Sequence, residues 1–201
     1  MIVLDAQMCS VNINELRDIL KIRLSKKRYT HSLNVADAAL KLAEKYGADI
    51  EKAYLAGLVH DICKEVPTDE QLAMAQKCHQ GIDETEQKIP ALYHAAAGSW
   101  YGENVLHIHD EDILNAVRYH TTGRAGMSRL EECVYLADLI SEDRTYKDVG
   151  RMRRLAFEDI NGAMLEAARF TLSDVIAKGS FIPENSMQTY NYYTALIKQD
   201  K

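Results

Sequence analysis

A chain of 201 residues, 47% hydrophobic and 27% charged, is long enough to bury its own core and has the composition of an ordinary globular protein. Its formal net charge of −6 argues against a general affinity for nucleic acid or anionic membrane, although bound cations can reverse the sign of a site locally. No stretch approaches the ~20 apolar residues of a membrane span, and Met1, Ile2, Val3, Leu4 and Asp5 lack the basic start of a signal peptide.

The expected location is therefore the cytoplasm. The four cysteines, Cys9, Cys63, Cys78 and Cys133, form no CxxC pair and read as reduced thiols. Three prolines and ten glycines leave few breaks, and apolar residues recur at helical spacing. Leu33, Ala36, Leu40 and Ala43 make one stripe, closed by Gly47. Asp49 is placed to cap a helix running toward Cys63. Thr68, Asp69 and Glu70 supply the acidic first turn of another, which fades at Gly81. Pro90 opens a helix whose first turns carry His94. Asp110, Glu111 and Asp112 start one that ends near His120, where Thr121, Thr122 and Gly123 turn the chain. Further helical patterns cover roughly 128–142, 159–178 and 184–198. The expected fold is an all-α, single-domain helical bundle.

Within this pattern His60 and Asp61 stand side by side in a run that is otherwise mostly apolar. A buried carboxylate is costly unless it is paired, hydrogen-bonded or bound to metal. His31, His94, His120 and Asp138 complete an ordered series of imidazoles and carboxylates drawn from separate helices, which is how helical bundles build di-metal sites. The expected division gives one ion His31, His60, Asp61 and Asp138, and the other His94, His120 and a shared Asp61. A bridging carboxylate holds two ions about 3.5–4 Å apart, the spacing of two-metal phosphatases, where an activated hydroxide attacks phosphorus. Imidazole and carboxylate suit iron, manganese or zinc, and no cysteine joins the series.

Gly57, His60, Asp61 and Lys64 lie along one helical stripe, with Gly57 expected to leave room above the site. Lys64 is then within reach of a phosphate oxygen. Arg144, beyond the helix of Asp138, is suited to clamp phosphate, unless Asp143 satisfies it locally. Thr121, Thr122 and Gly123 offer hydroxyl and backbone donors, or simply a turn. The basic run Lys21, Arg23, Lys26, Lys27 and Arg28 reads as a solvated helix face, with Arg28, one turn before His31, as the exception. Arg151, Arg153 and Arg154 read as solvated too. His79, His107 and His109 read as surface, and Tyr190, Tyr192 and Tyr193 as core rather than base-stacking residues.

The segments Arg28-Tyr29-Thr30-His31-Ser32-Leu33-Asn34-Val35 and Gly57-Leu58-Val59-His60-Asp61-Ile62-Cys63-Lys64 resemble the HD-domain phosphohydrolase superfamily. With Leu92 to Gly98 around His94, Ala116 to Gly123 around His120, and Tyr135 to Ile140 with Arg144, the resemblance narrows to the bacterial YqeK family. It spans about residues 12–198, making 1–201 one HD domain. It implies a symmetrical hydrolase splitting diadenosine tetraphosphate into two ADP, with a two-iron centre and nucleotide bound beside it. Carried over by position, the metal ligands are His31, His60, Asp61, His94, His120 and Asp138, and Lys64 and Arg144 face the phosphates. Asp61, Lys64 and Arg144 are thus the expected catalytic residues, and Arg28, Lys64, Thr121, Thr122, Gly123 and Arg144 the expected substrate contacts. Before the arginine, where family members often carry Pro-Asn, this chain has Glu142-Asp143.

The expected partner is a small dinucleoside polyphosphate or nucleotide, with no nucleic acid and no membrane; a homodimer is left open. The same ligand set also fits hydrolysis of a nucleoside mono- or triphosphate or an alarmone, a di-iron oxygenase, or a non-catalytic nucleotide sensor.

Overall fold

The computed structural model describes residues 12–199; the readings of Met1 to Asp5 and of Cys9 lie outside them. Ten α-helices and no strand are present among the described residues.

Helix α1 (Ile13–Arg23) begins with a capping box in which Asn12 accepts from the backbone of Glu15 while the Glu15 carboxylate accepts from the Asn12 amide. The chain is extended at Leu24 and restarts at Ser25, the cap of α2 (Lys26–Tyr46). The basic run is therefore not one helix face but two helices and a corner. Helix α2 stops at Gly47, whose φ of +73° is the left-handed conformation that a β-carbon disfavours. Its inward face carries Val35, Ala39 and Leu42 as well as the expected Ala36 and Ala43.

Asp49 caps α3 (Ile50–Val59) by accepting from the amides of Glu51 and Lys52. This helix ends one residue before His60. Tight turns follow, with Ile62 N–H donating to Val59 and Lys64 N–H to Asp61, so Asp61 and Lys64 are aimed by turn geometry rather than by a helical stripe. Gly57 also serves differently from expectation. A β-carbon there would lie 2.7 Å from the Cα of Ala36, so the glycine lets α2 and α3 touch backbone to backbone instead of leaving room above the site.

Helix α4 (Thr68–Ala75) leads to α5 (Tyr93–Asn104) through short 3-10 turns at Glu86–Lys88 and Pro90–Leu92. The connection is fastened by buried Arg118, which donates to the carbonyl of Gly81 and to Glu86 Oε2 at 2.6 Å. Asp110 caps α6 (Glu111–Tyr119), and Ser128 with Glu131 forms a second capping box for α7 (Arg129–Ile140). Helices α8 (Val149–Glu158), α9 (Ile160–Ala177) and α10 (Glu184–Gln199) complete the bundle. Helices α1 and α8 were not among the elements expected from periodicity.

Helix α2 packs on α3 and α7, α6 on α3, α5 and α7, and α9 on α8 and α10. Buried Tyr193 ties α10 to α7 by donating to Glu132 Oε1 at 2.6 Å, which settles its use as core. Cys63, Cys78 and Cys133 are free and buried. No helix among the described residues is long and apolar enough to cross a membrane.

Candidate metal centre

Four imidazoles meet in the interior, brought by α2 (His31), the turn after α3 (His60), α5 (His94) and the end of α6 (His120). Adjacent rings stand edge to face, with centroids 5.3 Å apart for His31 and His60, 4.9 Å for His60 and His120, and 5.1 Å for His94 and His120.

His60 and His120 are oriented by the same device. Each follows the last residue of its helix, and each Nδ1 lies 2.7 Å from the carbonyl three residues back, Gly57 for one and Val117 for the other. A carbonyl only accepts, so the proton is on Nδ1 and Nε2 turns inward. His31 uses a carboxylate for the same purpose, its Nδ1 donating to Asp143 Oδ2 at 2.8 Å.

Asp61 lies between these rings. Its Oδ2 is 3.3 Å from His60 Nε2 and 3.9 Å from His31 Nε2, while its Oδ1 is 3.3 Å from His94 Nε2 and 3.8 Å from His120 Nε2. One oxygen faces one pair of histidines and the other oxygen faces the second pair. Two ligand groups result, His31 with His60 and Asp61, and Asp61 with His94 and His120, each with all its donor atoms within 4.8 Å of one another. Asp138 Oδ1 adds a further oxygen 2.9 Å from His31 Nε2.

The residues fit metal ions. Nε2 of His31 and of His60 is buried without a hydrogen-bond partner, and the Nε2 atoms of His94 and His120 face each other at 3.2 Å. Orphaned buried nitrogens are costly, and a cation shared with the neighbouring carboxylate relieves that cost. The donor set is imidazole nitrogen and carboxylate oxygen, suited to divalent cations.

Charge is distributed accordingly. Burial works to raise the pKa of Asp61, but His60 and the other imidazoles outweigh it and hold the carboxyl well below its usual range. Burial of His60 is likewise outweighed, by Asp61, and its pKa is raised. Burial and the Lys64 ammonium keep His94 well below the ordinary histidine value, and burial with His60 lowers His120 to about 4. Both rings are therefore neutral and able to donate a lone pair at physiological pH. Asp138 is held far down despite burial by the adjoining His31 and His60 rings and by Arg144. Asp143, also raised by burial, is brought to about 2 by its bonds from Asn34 and His31.

The HD domain family matches residues 28–143, more than half of the sequence, which includes all six of these histidines and aspartates. This chain belongs to the HD-domain family. Over 90% of its length the HD-domain chain is 34% identical to the symmetrical bis(5'-nucleosyl)-tetraphosphatase of Bacillus subtilis, covering 97% of that relative. It is 32% identical to the protein of the same name in Staphylococcus aureus, over 91% of this chain and 95% of the other. It is also similar to a crystal structure of a "predicted HD superfamily hydrolase involved in NAD metabolism" from Clostridium acetobutylicum. That likeness has a TM-score of 0.87 and 39% identity, over 90% of this chain and 96% of that one. The narrower resemblance to the YqeK family agrees with these relatives.

Around the imidazoles of the HD-domain site stand three cations. Arg28 Nη1 donates to Asp61 Oδ2 at 2.7 Å. Arg144 donates through Nε to the Asp138 carbonyl at 2.7 Å and through Nη2 to the Asp138 carboxylate. Lys64 Nζ lies 3.2 Å and 3.3 Å from the two ring nitrogens of His94, and burial lowers its pKa. Arg144 is thus matched by Asp138 rather than by Asp143.

The turn after His120 divides its labour. Gly123 adopts φ +63°, and a β-carbon there would meet Thr189 at 2.6 Å. Thr122 donates to the Gly123 carbonyl, and its own carbonyl accepts from Ser186 and Thr189 of α10. Thr121 alone of the three carries a buried hydroxyl without a partner. His107 and His109 are exposed, as expected.

Two residues of the site were misread in the sequence. Asp143 backs His31 across 112 positions, a separation that no local pattern signals. Arg153 was grouped with exposed Arg151 and Arg154, yet its guanidinium collects the carbonyls of Ile140, Ser141, Glu142 and Arg144. It thereby fixes the segment that presents Asp143 and Arg144. The only available hint was its place one residue after Met152, on the edge of the apolar face of α8.

Proposed function

We propose that this HD-domain chain is a metal-dependent phosphohydrolase that cleaves diadenosine tetraphosphate symmetrically, giving two ADP. The observation that carries the reading is the division of Asp61, with one oxygen toward His31 and His60 and the other toward His94 and His120. A carboxylate so placed is suited to bridge two ions. His31, His60, Asp61 and Asp138 would hold one, and Asp61, His94 and His120 the other. Iron is the metal proposed, on the family resemblance; manganese and zinc share the preference for this donor set. A pair of ions bound there supplies Lewis acidity toward phosphoryl oxygens and a water acidic enough to ionise near neutral pH.

The chain's own groups do the rest. Arg28 and Arg144 bring two guanidinium forks to the rim, a geometry matched to phosphate oxygens, and Lys64 adds a point charge beside His94. Thr121 offers a hydroxyl. Thr122 and Gly123 act on the substrate side by holding that turn against α10. These cations are arrayed for a highly charged polyphosphate, and this supports a small anionic substrate in a chain of net charge −6. The symmetrical position of cleavage rests on the relatives in Bacillus subtilis and Staphylococcus aureus, which carry that activity in their names.

The test is turnover of diadenosine tetraphosphate by iron-loaded protein under anaerobic conditions, with products separated by chromatography beside an Asp61→Ala control. ADP alone, absent from the control, is the expected result. AMP with ATP would refute symmetrical cleavage. No cleavage by protein holding two ions would send the search to other nucleotides.

A further inference from the structure

We propose that Asp143 is a positioning residue for the metal centre: by accepting the Nδ1 proton of His31 it fixes the tautomer and angle of that ring and strengthens it as a metal ligand. The proposal rests on the reading of His31 as a ligand given above and goes beyond it, to a residue that touches neither ion nor substrate.

The two carboxylate oxygens of Asp143 are both engaged. Oδ2 takes the His31 proton at 2.8 Å, and Oδ1 takes a proton from Asn34 Nδ2 at 3.0 Å. Asn34 is one turn after His31 on α2, so the same helix presents the ring and orients the carboxylate behind it. On the other side, Arg153 fixes the carbonyls on either side of Asp143, those of Glu142 and Arg144. The carboxylate is thus held at both ends although its side chain is one-third exposed.

The other imidazoles of the cluster are treated differently. His60 and His120 rest on neutral backbone carbonyls, and the ring of His94 faces an ammonium, Lys64 Nζ. Among these four rings His31 alone is backed by a carboxylate. A charge-assisted bond is stronger than one to a neutral acceptor, and it pushes electron density onto the opposite ring nitrogen. That nitrogen is the partnerless Nε2 aimed at Asp61 and Asp138. The two ion positions are therefore inequivalent, and the ion nearer His31 gains from Asp143.

The experiment titrates metal-stripped protein with Mn2+, by calorimetry, comparing wild type with Asp143→Asn and Asp143→Leu. Outer partners of metal-bound histidines contribute about 10–100-fold in affinity. Asp143→Asn, which keeps the shape and an acceptor but loses the charge, is expected to weaken one of two bound equivalents by about tenfold. Asp143→Leu is expected to weaken the same equivalent by about a hundredfold and leave the other unchanged. Thermal midpoints of the stripped proteins control for folding, and the isosteric asparagine variant carries the test if the leucine variant does not fold. Both equivalents within twofold of wild type in Asp143→Asn, or both weakened alike, would overturn the proposal. Failure of the wild type to bind any Mn2+ would instead overturn the reading of His31 as a ligand.

Discussion

Gly57 of α3 lies against Ala36 of α2 so closely that an added β-carbon would stand 2.7 Å from the Ala36 Cα and 2.9 Å from its nitrogen. The obstructing atoms are backbone, so neither helix can yield by rotating a side chain. Gly57→Ala is therefore expected to force α2 and α3 apart at a cost of about 1–3 kcal/mol, the usual range for overpacking. Because these helices carry His31 and lead into His60, the same change should loosen metal retention. Thermal unfolding and chelator competition on one variant check both, and unchanged metal retention in a destabilised protein would separate the two effects.

Removing Asp61 takes away the group that both pairs of histidines face. Asp61→Ala is expected to lower turnover by at least about a hundredfold, since even outer partners of metal ligands reach that figure. It also leaves Arg28 without its carboxylate. Metal content by elemental analysis should fall together with activity. Full metal content with full activity would remove Asp61 from the centre of the mechanism.

Arg153 is expected to act at a distance. Its substitution by methionine keeps much of the stem but frees the carbonyls at the end of α7, and an orphaned buried acceptor costs about 1–3 kcal/mol. With the 141–144 segment loosened, Arg144 is presented less well, so KM for the nucleotide should rise more than kcat falls. Steady-state kinetics beside a thermal melt distinguishes this from a simple loss of stability, which would leave both constants of the folded fraction unchanged.

Cys133 gives a pH dependence whose sign is fixed. Burial pushes its thiol up to about 12, whereas an unfolded cysteine titrates near ~8.5. The folded chain holds this proton more tightly than the unfolded one, so the contribution is intact below the unfolded value and is lost as pH rises from about 9 toward 12. Denaturant midpoints should therefore fall across that alkaline range, and less so in Cys133→Ala. The same burial predicts slow alkylation of this thiol until the protein unfolds.

Most helices were legible because their start and stop signals are local: Asp49, Ser128 and Asp110 cap where side-chain chemistry says they should, and Gly47 ends α2. The histidines and aspartates were legible as residue types in order along the chain. What escaped was decided by tertiary contact. Helix α8 lacks a side-chain N-cap; Asp148 before it sits at φ +68° and its carboxylate accepts no capping hydrogen bond. The role of Gly57 depends on a neighbour in another helix, and Lys64 was read on a helical stripe although α3 has ended before it. Arg144 is read as a phosphate clamp with Asp143 as its alternative partner, whereas Asp138 is the carboxylate it meets; both are near in sequence and only geometry chooses.

The bond between His31 and Asp143 spans 112 positions, and the other members of the cluster are strung out between them. On a ribosome, the first histidine emerges long before its outer partner exists, and the second ligand group is complete only once His120 has been made. With the ligands so far apart in sequence, the apolar faces of the helices are expected to assemble the centre, and metal loading to follow that assembly. Protein stripped of metal is then expected to keep its helical circular-dichroism signal.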